Sequence, residues 1–182
     1  MNRASKFVLA GMIGAGALVF GNTRIAFADD AKEAVAHVKN ASGVKDEIKG
    51  TVTFTAAEGG VKVVADIDGL TPGLHGFHIH EKADMSDPAL KSAGGHFNPD
   101  HHKHGGPESA EHHAGDLGNL TADDKGHAHL DEVFKGLTIE GKDGVVGHSV
   151  IIHAKADDLK TDPSGDSGAR IAGGAIEAEK AK

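Results

Sequence analysis

The sequence contains no cysteine, tryptophan or tyrosine. Without cysteine, the 182-residue chain cannot be a miniprotein held together by disulfides, and a lipid anchor attached through a thiol is excluded. The composition also excludes a coiled coil. Glycine is abundant instead, with 26 residues, which is twice the average usage of about 7% and indicates a turn-rich fold. The length suffices for one domain.

The first 28 residues have the layout of a secretory signal. Two basic residues precede an apolar run from Phe7 to Phe20, and Ala26-Phe27-Ala28 then offers small residues to a signal peptidase. The run is shorter than the ~20 residues of a membrane-spanning helix, so we predict no stable membrane anchor. We expect cleavage after Ala28 and one domain over residues 29–182. The competing interpretation is an amphipathic or buried N-terminal helix.

The predicted mature chain is strongly acidic. Without residues 1–28 it has 16 basic and 27 acidic residues, a formal charge of −11. Its aromatic side chains are all phenylalanines, namely Phe54, Phe77, Phe97 and Phe134. Because this charge repels a phosphate backbone and few side chains can stack on bases, we do not expect the protein to bind nucleic acid.

Apolar and polar residues alternate with a period of two over Ile48–Asp68, interrupted by Glu58-Gly59-Gly60, which predicts a β-hairpin. Further short strands are predicted at residues 34–38, 76–81, 127–134, 147–154 and 170–178. Residues 82–125 and 155–169 lack this alternation and are predicted to be long loops. Loops of this length are uncommon unless they are functional or disordered, and a bound metal would explain their order.

Histidine is unusually frequent, and 13 of the 14 histidines lie between His75 and His153. His78 and His80 are two positions apart, so on a strand they project from the same face. His153 ends a segment in which it shares a face with Ser149 and Ile151, which could place a third imidazole against the first two. Three nitrogen ligands suit copper or zinc.

The segment between these strands adds a second set of potential ligands. His96, His104, His113 and Asp116 supply three imidazoles and one carboxylate, a set suited to a closed tetrahedral Zn²⁺ site. The alternative is a solvated histidine-rich loop or a loose metal-scavenging tract.

In its motifs the sequence resembles the copper/zinc superoxide dismutases. The matching motifs occur in the order of that family and cover nearly all of residues 29–182; they are GLHGFHIHE from Gly73, HFNP from His96, KHGGP from Lys103, HAGDLGN from His113, VIIH from Val150 and GARIAGG from Gly168. The resemblance implies an all-β fold, an eight-stranded Greek-key β-sandwich or flattened barrel with two long metal-site loops.

The resemblance also implies particular roles for the candidate residues. The implied copper ligands are His78, His80, His96 and His153. The implied zinc ligands are His96, His104, His113 and Asp116. His96 would then bridge both metals, and Asp157 resembles the carboxylate that links ligands of the two metals through hydrogen bonds. Arg170 resembles the guanidinium above the copper that guides the anionic substrate.

The implied reaction converts superoxide to oxygen and hydrogen peroxide by alternate reduction and oxidation of copper, with His96 returning a proton to the product and Arg170 supplying a local positive potential. Lys155 and Lys160 either add to this potential or are simply solvated. The alternative function is a noncatalytic copper or zinc carrier, against which Arg170 argues because a carrier needs no anion-guiding arginine. The sequence does not decide between a monomer and a homodimer, or between periplasmic and extracellular export.

The sequence departs from the family pattern by lacking the disulfide that ties the loop before the bridging histidine to the strand after the arginine. The corresponding places are Leu90 and Gly173, so the placement of Arg170 becomes a question for the structure. We hypothesise that zinc compensates by ordering the loop. His75 is expected to brace the copper loop by hydrogen bonding. The surplus histidines are expected to be exposed, the alternative being a weak accessory metal site; they are His101, His102, His112, His127, His129 and His148.

Overall fold

The computed structural model describes residues 32–179. The predicted signal segment and its cleavage site lie outside the described residues. The strands are β1 Glu33–Asn40, β2 Lys49–Ala57, β3 Gly60–Asp68, β4 Gly73–His80, β5 Asp116–Ala122, β6 Ala128–Lys135, β7 Ser149–His153 and β8 Arg170–Ala178. A three-residue 3-10 helix, Lys91–Ala93, lies between β4 and β5. None of the helical structure in residues 32–179 is long and apolar enough to cross a membrane.

The eight strands pair antiparallel and close into a barrel in the order β1, β2, β3, β6, β5, β4, β7, β8. The chain passes from β3 to β4 and from β6 to β7 without these strands being neighbours, as in a Greek-key arrangement. The predicted all-β fold with eight strands is therefore confirmed.

The β2–β3 hairpin forms where the alternating pattern predicted it. Ala57 pairs with Gly60, and Gly59 adopts a φ of 82°, a left-handed conformation that favours glycine. The alternate apolar residues, among them Val52, Phe54 and Val63, are fully buried. This burial of one strand face is the main source of stability for an antiparallel pair.

Strands β4 and β7 divide their side chains between the core and the outer face of the barrel. Phe77 and Ile79 of β4 belong to the main core cluster, as do Val150 and Ile152 of β7. The residues between them therefore point away from this core. The register pairs His78 with Ile151, which brings the predicted ligands of the two strands to neighbouring positions.

The prediction that residues 82–125 form one long loop is wrong at its end, because β5 occupies Asp116–Ala122. Leu117, Leu120 and Ala122 are buried, but Gly118 and Asn119 interrupt the alternation and Asp116 is a buried carboxylate. A strand that carries polar residues on buried positions does not show the pattern from which strands are predicted. The predicted loop over residues 155–169 contains no strand.

Two long loops adjoin strand β4: residues 81–115, which join β4 to β5, and residues 154–169, which join β7 to β8. They contact the same part of the barrel. The backbone N–H of Gly76 donates to the carbonyl oxygen of Lys155 at 2.8 Å, and that of Ile79 donates to the carbonyl oxygen of Gly115 at 2.8 Å. Both loops are thus pinned to β4, the strand that carries His78 and His80.

Candidate metal centre

The first cluster of candidate ligands combines β4, β7 and the loop after β4. His80 forms an isolated antiparallel bridge with His96, and His153 ends β7 beside Arg170 of β8. The structure brings His78, His80, His96 and His153 together, all of them buried, with one nitrogen of each ring within 4.8 Å of the others. This is the set of side chains that the sequence analysis assigned to copper.

Four nitrogen atoms in this cluster are buried and have no hydrogen-bond partner within residues 32–179: Nδ1 of His78 and Nε2 of His80, His96 and His153. Unpaired buried polar atoms are rare because each costs about 1–3 kcal/mol, so a group of four needs an explanation. Imidazole nitrogens that converge with their lone pairs unpaired fit a transition metal such as copper.

The other nitrogen of each of these four rings is hydrogen-bonded, that of His96 to Oδ1 of Asp116, which fixes the orientation of each ring. His78 donates from Nε2 to Oδ2 of Asp157 at 2.7 Å. His80 donates from Nδ1 to the carbonyl oxygen of Gly94 at 3.0 Å, and His153 donates from Nδ1 to that of Gly168 at 3.1 Å. These bonds select the tautomer that leaves the converging nitrogen unprotonated.

The second cluster contains His96, His104, His113 and Asp116, also buried. Oδ1 of Asp116 lies 2.7 Å from Nδ1 of His96, 3.1 Å from Nδ1 of His104 and 3.2 Å from Nδ1 of His113. Nδ1 of His113 lies 3.4 Å from Nδ1 of His96. Three nitrogens and one oxygen around a small central space fit tetrahedral Zn²⁺.

His96 belongs to both clusters. Its Nδ1 faces Asp116 and its Nε2 is one of the four unpaired nitrogens of the first cluster. A single imidazole can contact two metals only if both ring nitrogens lose their protons, which requires that metal ions take the place of those protons.

Asp157, in the loop after β7, links the two clusters. Its Oδ2 accepts from His78, and its Oδ1 lies 2.9 Å from Nε2 of His104. Asn119 of β5 holds Asp157 in turn: its Oδ1 accepts from the backbone N–H of Asp157 at 2.7 Å, and its Nδ2 donates to the carbonyl oxygen at 3.0 Å. One carboxylate thereby orients one ring from each cluster.

Burial and hydrogen bonding shift the pKa values of the candidate ligands in opposite directions. Burial lowers the pKa of His96 to about 4 and that of His153 to about 3, and it holds the pKa of His80 well below its ordinary value. For His104 the burial effect is outweighed by hydrogen bonds to Asp116 and Asp157, which raise its pKa to about 9. His80, His96 and His153 are therefore neutral donors at neutral pH.

A cleft of about 440 Å³ opens onto the first cluster. His80, His96 and His153 line it together with Arg170, Glu81 and His101. Burial lowers the pKa of Arg170, but a guanidinium remains charged at neutral pH. Neither Lys155 nor Lys160 is among the residues that line the cleft.

The guanidinium of Arg170 is held by backbone oxygens of the loop after β4. Nη1 donates to the carbonyl oxygen of Leu90 and Nη2 to that of Gly94. Leu90 and Gly173, the two places at which the family disulfide is expected, both line one surface hollow. Arg170 is thus anchored in a chain that has no disulfide.

Sequence reasoning missed three residues that contact the site. Asn119 holds Asp157, and Oδ1 of Asp162 accepts from the backbone N–H of the candidate ligand His104 at 2.9 Å. Gly165 adopts a φ of 64° directly against Asp157. Neither Asp162 nor Gly165 lies in a periodic segment, so no sequence pattern pointed to them. Asn119 lies in a matched motif, HAGDLGN, and that motif was the available signal.

Several histidines outside the two clusters contact other side chains or the backbone. Nδ1 of His75 lies 2.7 Å from the carbonyl oxygen of His153 at the end of β7, and its role in bracing the copper loop stays a prediction. His127 and His129 are exposed and pair with Asp68 and Asp66 on β3. The ring of His148 packs against that of Phe97 with the centroids 4.0 Å apart and the planes tilted by 34°. Within residues 32–179, no third group of metal-binding side chains occurs beside the two clusters.

The barrel and the two adjoining clusters, which share the imidazole of His96, are the arrangement of a metalloprotein that could bind two ions. The family model described as copper/zinc superoxide dismutase (SODC) matches residues 48–176. The chain belongs to the copper/zinc superoxide dismutase family, a class of enzymes whose cofactors are copper and zinc.

Individual relatives agree with this assignment. The extracellular superoxide dismutase [Cu-Zn] of Drosophila melanogaster is 43% identical over 138 residues, covering 71% of this chain and 76% of the relative. The protein of the same name from Brugia pahangi is 40% identical over 138 residues, covering 71% and 69%. Among solved structures, the crystal structure of the clock protein EA4 has a TM-score of 0.74 at 38% identity, covering 82% of this chain and 96% of that one.

Proposed function

We propose that this protein converts superoxide to oxygen and hydrogen peroxide in an exported compartment, with copper held by His78, His80, His96 and His153. Zinc is held by His96, His104, His113 and Asp116. The observation that carries the proposal is the group of four buried, unpaired nitrogens, three of whose rings line a cleft together with Arg170.

The chemistry of the donors supports this division between the two metals. The first set consists of nitrogens only and borders the cleft, so a substrate can approach it. The second set includes a carboxylate, and four protein ligands complete a tetrahedral shell as in structural zinc sites. Bound copper supplies the one-electron chemistry that alternately oxidises and reduces superoxide.

Arg170 binds and orients the anionic substrate. The predicted mature chain has a formal charge of −11, so the molecule as a whole repels an approaching anion. A permanently charged guanidinium beside the cleft offsets that repulsion locally and can donate hydrogen bonds to the anion. Arg170 forms no ion pair within residues 32–179, so its charge is available to the substrate.

His96 moves a proton at Nε2. This nitrogen belongs to the first cluster, and its residue lines the cleft, whereas Nδ1 of the same ring faces Asp116. With zinc held on the Nδ1 side, the ring would stay in place, and Nε2 could accept a proton and return it to the reduced product. Asp157 keeps His78 and His104 oriented meanwhile.

Export is proposed from the first 28 residues together with the relatives named extracellular superoxide dismutases. Cleavage after Ala28 leaves a single domain over residues 29–182. The periplasm and the extracellular medium are both destinations for such a chain, and a homodimer is a further proposal to be tested by its mass in solution.

The test is superoxide disproportionation by the mature protein loaded with copper and zinc, with the metal content measured on the same sample. We expect about one copper and one zinc per chain, as the two ligand sets imply. His153→Ala should lower activity more than about tenfold because a copper ligand is lost, whereas His129→Ala, at an exposed histidine of β6, should retain it. Full loading without activity would instead favour the noncatalytic metal carrier. The similar structure of EA4, which is named a clock protein and not a dismutase, motivates this second candidate.

A further inference from the structure

The position of the Arg170 guanidinium depends on the loop between β4 and β5. Both of its hydrogen bonds go to backbone carbonyl oxygens of that loop, at Leu90 and Gly94. Backbone oxygens can hold a side chain only as firmly as the loop itself is held. Because the chain has no cysteine, noncovalent contacts or bound metal must hold this loop in place.

Leu90 is one point at which the loop is anchored to the barrel. Its side chain is 6% exposed although it lies in a loop, and its backbone is left-handed, with φ 60° and ψ 22°. A leucine avoids this conformation unless the surrounding structure imposes it. Its N–H donates to the carbonyl oxygen of Asp87 at 2.8 Å, so backbone and side chain are both constrained.

The side chain of Leu90 belongs to a small apolar cluster separate from the main core. Its buried members are Ala41, Leu90, Ala93 and Ile151, with Val44 and Met85 packed against them. Ile151 projects from β7, the same strand as His153, so this cluster ties the loop to the strand that carries a candidate copper ligand.

Apolar packing also fills the place beside Gly173. A Cβ at this glycine would lie 2.7 Å from Cδ1 of Ile151 and 3.0 Å from Cε of Met85. Two members of the Leu90 cluster thus occupy the space that a side chain on β8 would need. In this chain, a noncovalent contact stands where the family pattern has a covalent one.

We propose that Leu90 is a positioning residue for Arg170: its packing against Ile151 and Met85 replaces the missing disulfide and sets the carbonyl oxygens that hold the guanidinium. This inference rests on the proposed role of Arg170 in binding the anionic substrate. It differs from the hypothesis that zinc orders the loop, because the Leu90 cluster contains no metal ligand.

The test is the affinity of the copper- and zinc-loaded protein for azide, a small anion, followed through the copper absorption spectrum. Leu90→Ala keeps the carbonyl group but removes most of the anchor. We expect azide to bind about tenfold more weakly, the scale of one lost charge-assisted hydrogen bond. Leu90→Met, which preserves volume, should stay within about twofold of the parent protein.

The control Ile67→Ala creates a cavity in the main core, to which Leu90 does not belong, and should leave azide affinity unchanged. The Arg170→Gln background separates positioning from general damage. Leu90→Ala should have no additional effect in that background if Leu90 acts through Arg170.

The outcomes distinguish the two proposals. If Arg170→Gln weakens azide binding and Leu90→Ala does not, or if Leu90→Ala weakens it equally in both backgrounds, Leu90 is not a positioning residue. If Arg170→Gln itself has no effect, the proposed role of Arg170 fails first. Should Leu90→Ala fail to fold, Met85→Ala at the edge of the cluster replaces it in the same comparison. We expect a smaller loss of azide affinity, and this loss must again be absent in the Arg170→Gln background.

Discussion

Gly165 leaves room for Asp157: a Cβ at Gly165 would lie 1.8 Å from Oδ1 of that carboxylate. It would also lie 2.7 Å from Nε2 of His104. The contact between Asp157 and His104 thus exists only because position 165 has no side chain, and its φ of 64° is a second reason for glycine.

Gly165→Ala should therefore displace Asp157 and weaken metal binding. We expect the affinity for metal to fall about 10- to 100-fold, as for the loss of a partner that orients metal ligands. The free energy of unfolding should fall by ~1–3 kcal/mol beyond the cost of the left-handed backbone, because the clash forces a local shift. Chelator competition and denaturant unfolding measure the two effects.

The matched control is Gly136→Ala. Gly136 has a φ of 80° but no atom within 4 Å of its Cβ position, so it carries the backbone cost alone, about 1–2 kcal/mol. Equal losses of stability and equal metal affinity in the two variants would show that Asp157 is not displaced.

Acid should destabilise the metal-free protein between pH 6.5 and about pH 4. Burial lowers the pKa of His96 to about 4 and that of His153 to about 3, below the ordinary 6.5 that applies when unfolded. In this window the unfolded chain binds more protons than the folded one, so the free energy of unfolding falls as pH falls. The slope approaches ~1.4 kcal/mol per pH unit for each such histidine.

His104 acts in the opposite direction. Because its pKa is raised to about 9, protonated His104 makes its full contribution to the free energy of unfolding below pH 6.5. That contribution is lost as pH rises through 9. The metal-free protein should thus be most stable near neutral pH, as measured by denaturant unfolding from pH 4.5 to 9.5. The variant His127→Gln with His129→Gln, which removes two exposed histidines, should keep the acid slope; a flat profile below pH 6.5 in the parent protein would contradict the expectation.

Asp162 should support the zinc site and not the copper site. Its Oδ1 accepts from the backbone N–H of His104 and lies 3.8 Å from Nε2 of His113. Asp162→Ala is expected to weaken zinc binding by about tenfold, since two ligands lose a contact that orients them, with little change for copper. Competition with a chromophoric chelator measures each affinity separately.

Asp124→Ala removes the same charge from the turn between β5 and β6 and serves as the control. It should leave both affinities unchanged because Asp124 lies in a turn and belongs to neither group of candidate ligands. A similar loss of zinc affinity in both variants would indicate a general effect of charge instead of the contact made by Asp162.

Much of the fold could be predicted from the alternation of apolar and polar residues, but strand β5 could not. The β2–β3 hairpin has a polar outer face and an apolar inner face, so its pattern is plain. Strand β5 instead buries Asp116 and carries Asn119 to hold Asp157. Because its polar residues serve the site, they erase the apolar pattern from which a strand is recognised.

The amino-acid sequence by itself determined the kinds of ligand available, the strands that carry His78, His80 and His153, and the resemblance to the family. These are local properties of spacing and residue type. Only the tertiary structure decided which ring nitrogen of each histidine is unpaired and how Arg170 is held without a disulfide. The reason is physical: these features depend on the register of β4 against β7 and on the packing of Leu90 against Ile151, contacts between segments far apart in the chain.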